Sequence, residues 1–263
     1  MWECQSFIKK IKVIRFVGMG EPLLHPFISY LVRSAKRYGI ADKVELLTNG
    51  VSLHPAKTWS LVNSGLDRLV ISVQGGRDAK YIRADGKRFN FNTYLENIID
   101  AYNQRMNIHI HIKGIDCNID NEDEFYDTFS PYCDTIGIEK AGPIYEGVEM
   151  NETFKPDTNQ YGVRQSDVHI CPQPFTSLQL HPDGKVIPCY AIENKEYVGD
   201  CNEESLYDIW HGEKLRDFRL RMLEGRAKVN ETCANCKIIT HRMYPEDSLD
   251  NAVERLKEVY KCS

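Results

Sequence analysis

Nine cysteines are spread through these 263 residues, and four of them, Cys171, Cys189, Cys233 and Cys236, are spaced as ligands. Cys233-Ala-Asn-Cys236 is a Cys-x2-Cys pair, which presents two thiolates from one turn, a common local geometry for a tetrahedral metal or one edge of a cluster. Cys171 lies just before, and Cys189 at the end of, a pair of short β-prone runs (175–180 and 185–190) that flank His181-Pro182-Asp183-Gly184. That tetrapeptide reads as a hairpin turn with Gly184 where a positive φ is needed, so antiparallel pairing brings the two cysteines together. Four thiolates then converge. A free cysteine is more often a small buried hydrophobe than a ligand, and that reading is given to Cys4, Cys117, Cys133, Cys201 and Cys262. It suits the other four badly, because core packing does not place a Cys-x2-Cys behind a hairpin with a cysteine at either end. Spacing alone leaves a structural zinc site and an iron-sulfur cluster equally open.

The elements that must carry this site and any other follow from periodicity. Five β-branched runs, 11–18, 44–50, 68–75, 108–114 and 134–140, alternate with helical patterns, the signature of a parallel sheet. The intervening helices carry apolar stripes, read as Phe27, Tyr30, Leu31, Ala35 and Tyr38 in one and Leu95, Ile98, Ile99, Tyr102 and Met106 in another. In the run 108–114, Ile108, Ile110 and Ile112 alternate strictly with His109, His111 and Lys113. An open sheet covered on both faces would be apolar on both. A strand with one apolar face and one polar face fits a partial barrel, helices outside and a polar lumen inside. The same phase turns Leu69, Ile71 and Val73 outward and Ser72 and Gln74 inward. Lys113, Glu139 and His111 then project inward near the C-terminal strand ends, where barrel sites are built, and they are the candidate substrate contacts.

Residues 141–170 lose periodicity and gather Gly, Pro, Asn and Asp, reading as a linker. After the hairpin come two helices, at about 204–211 and 213–224, the Cys-x2-Cys, and a last amphipathic helix with Val253, Leu256, Val259 and Tyr260. The expected organisation is a barrel-type domain over 1–140, a linker over 141–170, a cysteine domain over 171–240 and a terminal helix over 241–263.

Composition bounds the partners. A net charge of -5 with scattered Lys and Arg offers no basic patch, which disfavours nucleic acid. No run approaches the ~20 apolar residues that span a bilayer, and Met1 is not followed by the basic start and apolar stretch of a secretion signal. A cytoplasmic location is expected, where nine cysteines suit metal or redox chemistry better than disulfides.

Taken together, these motifs resemble the radical S-adenosylmethionine (radical SAM) enzymes with a C-terminal SPASM or twitch extension. Cys171, Gly184 and Cys189 meet the extension's Cys-x9-15-Gly-x4-Cys pattern, and Cys233 and Cys236 follow. The segment 237–244 holds none of the further cysteines of a full SPASM domain, so the match is to the twitch type, whose one auxiliary [4Fe-4S] cluster is fully ligated by protein. Phe16-Val-Gly-Met-Gly-Glu-Pro22 resembles the family's Gly-Gly-Glu-Pro segment, with Gly20, Glu21 and Pro22 matching. Thr48 and Asn49, then Ser72 and Gln74, stand where the family's next strands reach S-adenosylmethionine.

The resemblance implies reductive formation of a 5'-deoxyadenosyl radical and hydrogen abstraction from a sugar, an aminocyclitol or a peptide, with an electron donor such as flavodoxin or ferredoxin. The family's radical-generating [4Fe-4S] cluster is bound by Cys-x3-Cys-x2-Cys. Only Cys4 precedes the Gly-Glu-Pro segment here, and five strands are found where the family has six. The expectation is a (β/α)6 partial barrel lacking its first strand, in a chain that continues upstream of Met1. An in-frame Cys-x3-Cys-x2-Cys in the upstream coding sequence would support that, and a nearby stop codon would refute it. The alternative is a non-catalytic protein that keeps only the auxiliary four-cysteine site.

Overall fold

The computed structural model describes residues 11–18, 20–73, 90–142, 158–165, 167–191 and 194–261. The chain divides into two compact units, 1–139 and 140–263.

In the first unit, five strands form one parallel sheet: β1 (Ile11–Phe16), β2 (Ala41–Thr48), β3 (Arg68–Ser72), β4 (His109–Ile115) and β5 (Thr135–Glu139). Their order across the sheet is the order in sequence, which is the winding of a barrel wall. A doubly wound sheet would reverse its order partway. The crossovers are α1 (Ile28–Arg37), α2 (Pro55–Val62), α3 (Phe91–Gln104) and α4 (Glu122–Phe129). Their starts are written locally. Pro55 opens α2, Asn90 Oδ1 accepts from the Thr93 amide, and Asn121 Oδ1 accepts from that of Glu124.

Leu46, Leu69, Ile71, Ile110 and Ile112 face Val32, Ala35, Ile98 and Ala101 in one core. The alternation read along β4 is therefore present, with Ile110, Ile112 and Gly114 buried and His109, His111 and Lys113 on the more open face. The stripe assigned to the first helix needs correction. Phe27 and Tyr30 are about two-thirds exposed, and Ile28, Val32 and Ala35 are the buried set. The helix begins one residue later than an aromatic-led stripe requires, which turns the i, i+4, i+7 aliphatics inward. Likewise Met106 lies beyond the end of α3 and is 80% exposed, whereas Phe91 and Tyr94 are buried.

The second unit holds a three-stranded antiparallel sheet: β6 (Gln179–Leu180), β7 (Lys185–Ile187) and β8 (Gly199–Asp200). The hairpin turn is as expected, with Gly184 at φ 92°. A Cβ there would come within 2.1 Å of Asn202 Nδ2, so glycine is required on two counts. The third strand went unread because two residues carry no periodicity. Around the sheet lie α5 (Gln173–Thr176), α6 (Leu206–His211), α7 (Glu213–Met222), α8 (Glu231–Asn235), α9 (Ile238–Arg242) and α10 (Val253–Lys261). Ile170, Val186, Ile209, Leu215, Phe218 and Met222 form its core, with Val253, Leu256 and Tyr260 of α10 packed on it. Val259, placed in the same stripe by sequence, is half exposed. The described part of the stretch read as a linker is folded into this unit: Asn159, Val168 and Ile170 are buried.

Candidate functional site

Cys171, Cys189, Cys233 and Cys236 line a single cavity, together with Tyr190, Asn194, Met222 and Ile239. Four local devices deliver them. The β6–β7 pairing carries Cys189 back beside Cys171. Asn230 caps α8 by accepting, on its Oδ1, the Cys233 amide at 2.8 Å. Arg226 Nη1 donates to the Cys236 carbonyl at 2.6 Å, and the Cys171 amide donates to Met222 Sδ at 3.4 Å. Four cysteines from three separate stretches are thus held toward one space.

The electrostatics agree. Burial pushes the Cys233 thiol up to about 12, with the Cys189 and Cys236 sulfurs adding to the shift. Burial also pushes Cys171 well above the ordinary thiol range, seconded by the other three sulfurs. Without a positive centre nearby, burial keeps the Cys171 and Cys233 thiols protonated, and a cation that binds there displaces those protons. Four thiols around one cavity are a donor set that fits an iron-sulfur cluster, as it would a structural zinc ion. Sequence reasoning missed Asn194, whose Nδ2 lies 3.5 Å from Cys189 Sγ, and Glu196, which pairs with Arg221 and accepts from Asn230 Nδ2 at 2.7 Å. Neither stands in a motif; both are recognisable only once loops meet.

Of the remaining cysteines, Cys133 and Cys201 pack partly buried against the cores, as expected. Cys117 is exposed instead, at the 3-10 turn after β4. Cys4 and Cys262 lie outside the described residues.

In the first unit, the C-terminal ends of β1 and β2 are tied together by Glu21. Its Oε1 accepts from the Leu23 amide at 2.9 Å and from the Thr48 hydroxyl at 2.6 Å, and its Oε2 accepts from the Asn49 amide at 2.8 Å. Three of its roughly four acceptor positions are thereby taken. Pro22 starts the short 3-10 turn that Glu21 caps. Cβ atoms built on Gly18 and Gly20 would meet nothing within 4 Å, so the backbone beside Glu21 opens onto free space. Gly50, at φ 74°, leaves the loop after β2 tight against Ile71 and Tyr94. Ser72 ends β3 in register with Lys113, and Gln74 lies outside the described residues.

The three candidate contacts share one face of the sheet. Lys113 Nζ pairs with Glu139 Oε2 at 2.9 Å, both side chains less than a third exposed. His111 Nδ1 and His109 Nε2 share the Thr135 hydroxyl, at 2.8 and 2.9 Å. Burial first, and then the Arg68 charge, holds His111 below its ordinary pKa, against a counter-pull from Glu139. Deeper along the same face, Arg15, Glu45, Arg68 and His109 stand in one register row. Glu45 is 5% exposed and pairs with Arg15 at 2.7 Å and with Arg68 at 3.7 Å. Charges crossing a sheet on one face require that face to remain hydrated or occupied by polar groups.

Residues 3–129 match the model of the radical SAM superfamily, and residues 171–237 match SPASM, an iron-sulfur cluster-binding domain. Over these two segments the chain is similar to the radical SAM superfamily and to its SPASM extension. The two domains imply [4Fe-4S] clusters and S-adenosylmethionine as cofactors. One relative is the S-adenosyl-L-methionine-dependent 2-deoxy-scyllo-inosamine dehydrogenase of Niallia circulans, 34% identical over 58 residues, 22% of this chain and 23% of that protein. Another is the tungsten-containing aldehyde ferredoxin oxidoreductase cofactor-modifying protein of Pyrococcus furiosus. It is 23% identical over 252 residues, 80% of this chain and 70% of the relative. The chain thus spans less than a quarter of the first relative in that match.

Among solved structures, BtrN in complex with AdoMet and 2-DOIA superposes with a TM-score of 0.55 at 19% identity, covering 89% of this chain and 75% of BtrN. At that identity the likeness is one of fold. No helix of the described residues is long and apolar enough to cross a membrane.

Proposed function

We propose that this chain is a radical SAM protein that abstracts a hydrogen atom from a small polar substrate, a sugar or an aminocyclitol, or from a peptide, with one auxiliary [4Fe-4S] cluster on Cys171, Cys189, Cys233 and Cys236. The observation that carries the proposal is the single cavity lined by those four thiols in one unit; the other unit separately carries a polar sheet face. S-adenosylmethionine, if bound and reduced through an iron-sulfur cluster by a one-electron donor such as flavodoxin or ferredoxin, would supply the hydrogen-abstraction chemistry. The chain's own residues position and shield. Gly18, Gly20, Glu21, Thr48 and Asn49 form the strand-end seat, in which Glu21 fixes the loop after β2 and leaves the neighbouring backbone open to a ligand. Ser72 and Gln74 are assigned to the same seat from their place after β3.

Lys113 and Glu139 offer a cation and an anion 2.9 Å apart. Such a pair donates to one hydroxyl and accepts from another on the same ring, which favours a polyhydroxylated or amino-bearing substrate. His111 stands two residues along the same strand face, with its depressed pKa keeping it neutral near pH 7.

The Cys-x3-Cys-x2-Cys set for a radical-generating cluster is not among this chain's residues, where Cys4 alone precedes Glu21. The four-cysteine cavity by itself also supports a second reading, a non-catalytic, metal-binding protein that keeps only the auxiliary site. Anaerobic reconstitution with iron and sulfide, metal counting and assay for 5'-deoxyadenosine separate the two. About four irons per chain are expected from the thiolate set. Cleavage of S-adenosylmethionine supports the enzyme. Four irons, or one zinc, per chain without cleavage favour the second reading.

A further inference from the structure

Asn194 is 2% exposed, and its carboxamide is oriented at both ends. The Glu196 amide donates to Asn194 Oδ1 at 3.1 Å, which leaves the NH2 group directed at Cys189 Sγ, 3.5 Å away. The Asn194 amide donates to the Ala191 carbonyl at 3.0 Å and closes the turn. Flipping the carboxamide would set an N–H against the Glu196 N–H and an oxygen lone pair against sulfur, so the assignment is dictated by the network. The network is itself anchored. Glu196 pairs with Arg221 and accepts from Asn230 Nδ2, while Asn230 Oδ1 receives the Cys233 amide. A continuous set of hydrogen bonds therefore runs from one ligand segment to another.

We infer that Asn194 donates an N–H···S hydrogen bond to the Cys189 thiolate and so raises the reduction potential of the cluster bound there. The inference rests on the reading of the four cysteines as a cluster site. An electron added to an iron-sulfur cluster increases the negative charge on its sulfurs. A fixed donor stabilises the reduced form more than the oxidised one, and the bond to thiolate is charge-assisted. A buried donor acts with little competition from water. Asn194 is thus a positioning and tuning residue, not a ligand.

Two substitutions test this. Asn194→Asp keeps an acceptor for the Glu196 amide and replaces the donor by an oxygen; Asn194→Leu removes the donor without adding charge. Iron is counted first in the wild type and both variants, and the cluster's midpoint potential is then read by redox titration followed by electron paramagnetic resonance. With four irons retained, the Leu variant is expected to show a reduced-to-oxidised ratio about tenfold lower at a fixed potential, a fall of ~59 mV for a one-electron couple. The Asp variant should fall further. An unchanged or higher potential in a four-iron variant overturns the role of Asn194 while leaving the cluster site intact. Variants that take up no iron, beside a wild type that does, show that Asn194 builds the site instead of tuning it, and this too overturns the inference. A wild type without iron removes the cluster reading and the inference with it.

Discussion

The sharpest chemistry at the residue scale lies in pairs of side chains that sequence separates widely. Lys113 and Glu139 meet across two neighbouring strands, and their partial exposure leaves both heads available to a ligand. Lys113→Met should lower kcat/KM for the substrate by about tenfold or more, the equivalent of ~1.4 kcal/mol of lost binding, with iron content unchanged. Unchanged kinetics in a correctly loaded variant would remove Lys113 from the site. His111 gives a pH test. Because its folded pKa lies below the ordinary 6.5, it contributes stability that is present above pH 6.5 and is lost as the pH falls through the folded value. Urea midpoints measured from pH 7.5 down to 5 should decline, and His111→Gln should flatten the decline. Equal slopes in the two proteins would place the acid sensitivity elsewhere.

Local caps and cross-sheet registers decide the geometry of whole elements. α8 has only five residues and cannot hold itself together. Its orientation depends on Asn230, so Asn230→Ala should cost about 1 kcal/mol as a lost N-cap and slow iron uptake, read by thermal melting and reconstitution kinetics. In the sheet, Ile112 is fully buried between the strands and α3, and Ile112→Ala should cost about 2–5 kcal/mol in equilibrium unfolding. A loss under 1 kcal/mol would mean that the helix layer collapses onto the gap. Much of this level was legible beforehand. The five strands announced themselves through β-branched runs of the right length, and the hairpin through His181-Pro182-Asp183-Gly184. What misled was the aromatic lead into α1. Phe27 and Tyr30 share the helical spacing of Leu31 and Ala35, but the face that packs on the sheet is centred on Ile28, Val32 and Ala35, which leaves the two aromatics outside. A period identifies a helix more securely than it identifies the buried side.

At the scale of the whole molecule, metal and stability are coupled. Four mutually repelling thiolates inside the second unit are favourable only with a cation among them. The cluster-loaded chain should therefore melt higher than the chelator-stripped one, by more than about 5 °C on the usual scaling of stability with size. Coincident melting curves would show that the cysteines bind nothing structural. Taken by itself, the sequence determined the parallel α/β class, the alternating polar face of β4 and the gathering of four cysteines at one place, because each is written in local spacing: period 2, period 3.6, Cys-x2-Cys and a glycine turn. Tertiary structure alone decided that Glu21 spends three acceptor positions on Leu23, Thr48 and Asn49, that Glu45 lies buried between two arginines, and that Asn194 faces Cys189. Most of these contacts join separate stretches of chain, and even the short-range one to Asn194 depends on how a loop is closed. A side chain's partner is set by which segments the fold brings together, and no local period records that.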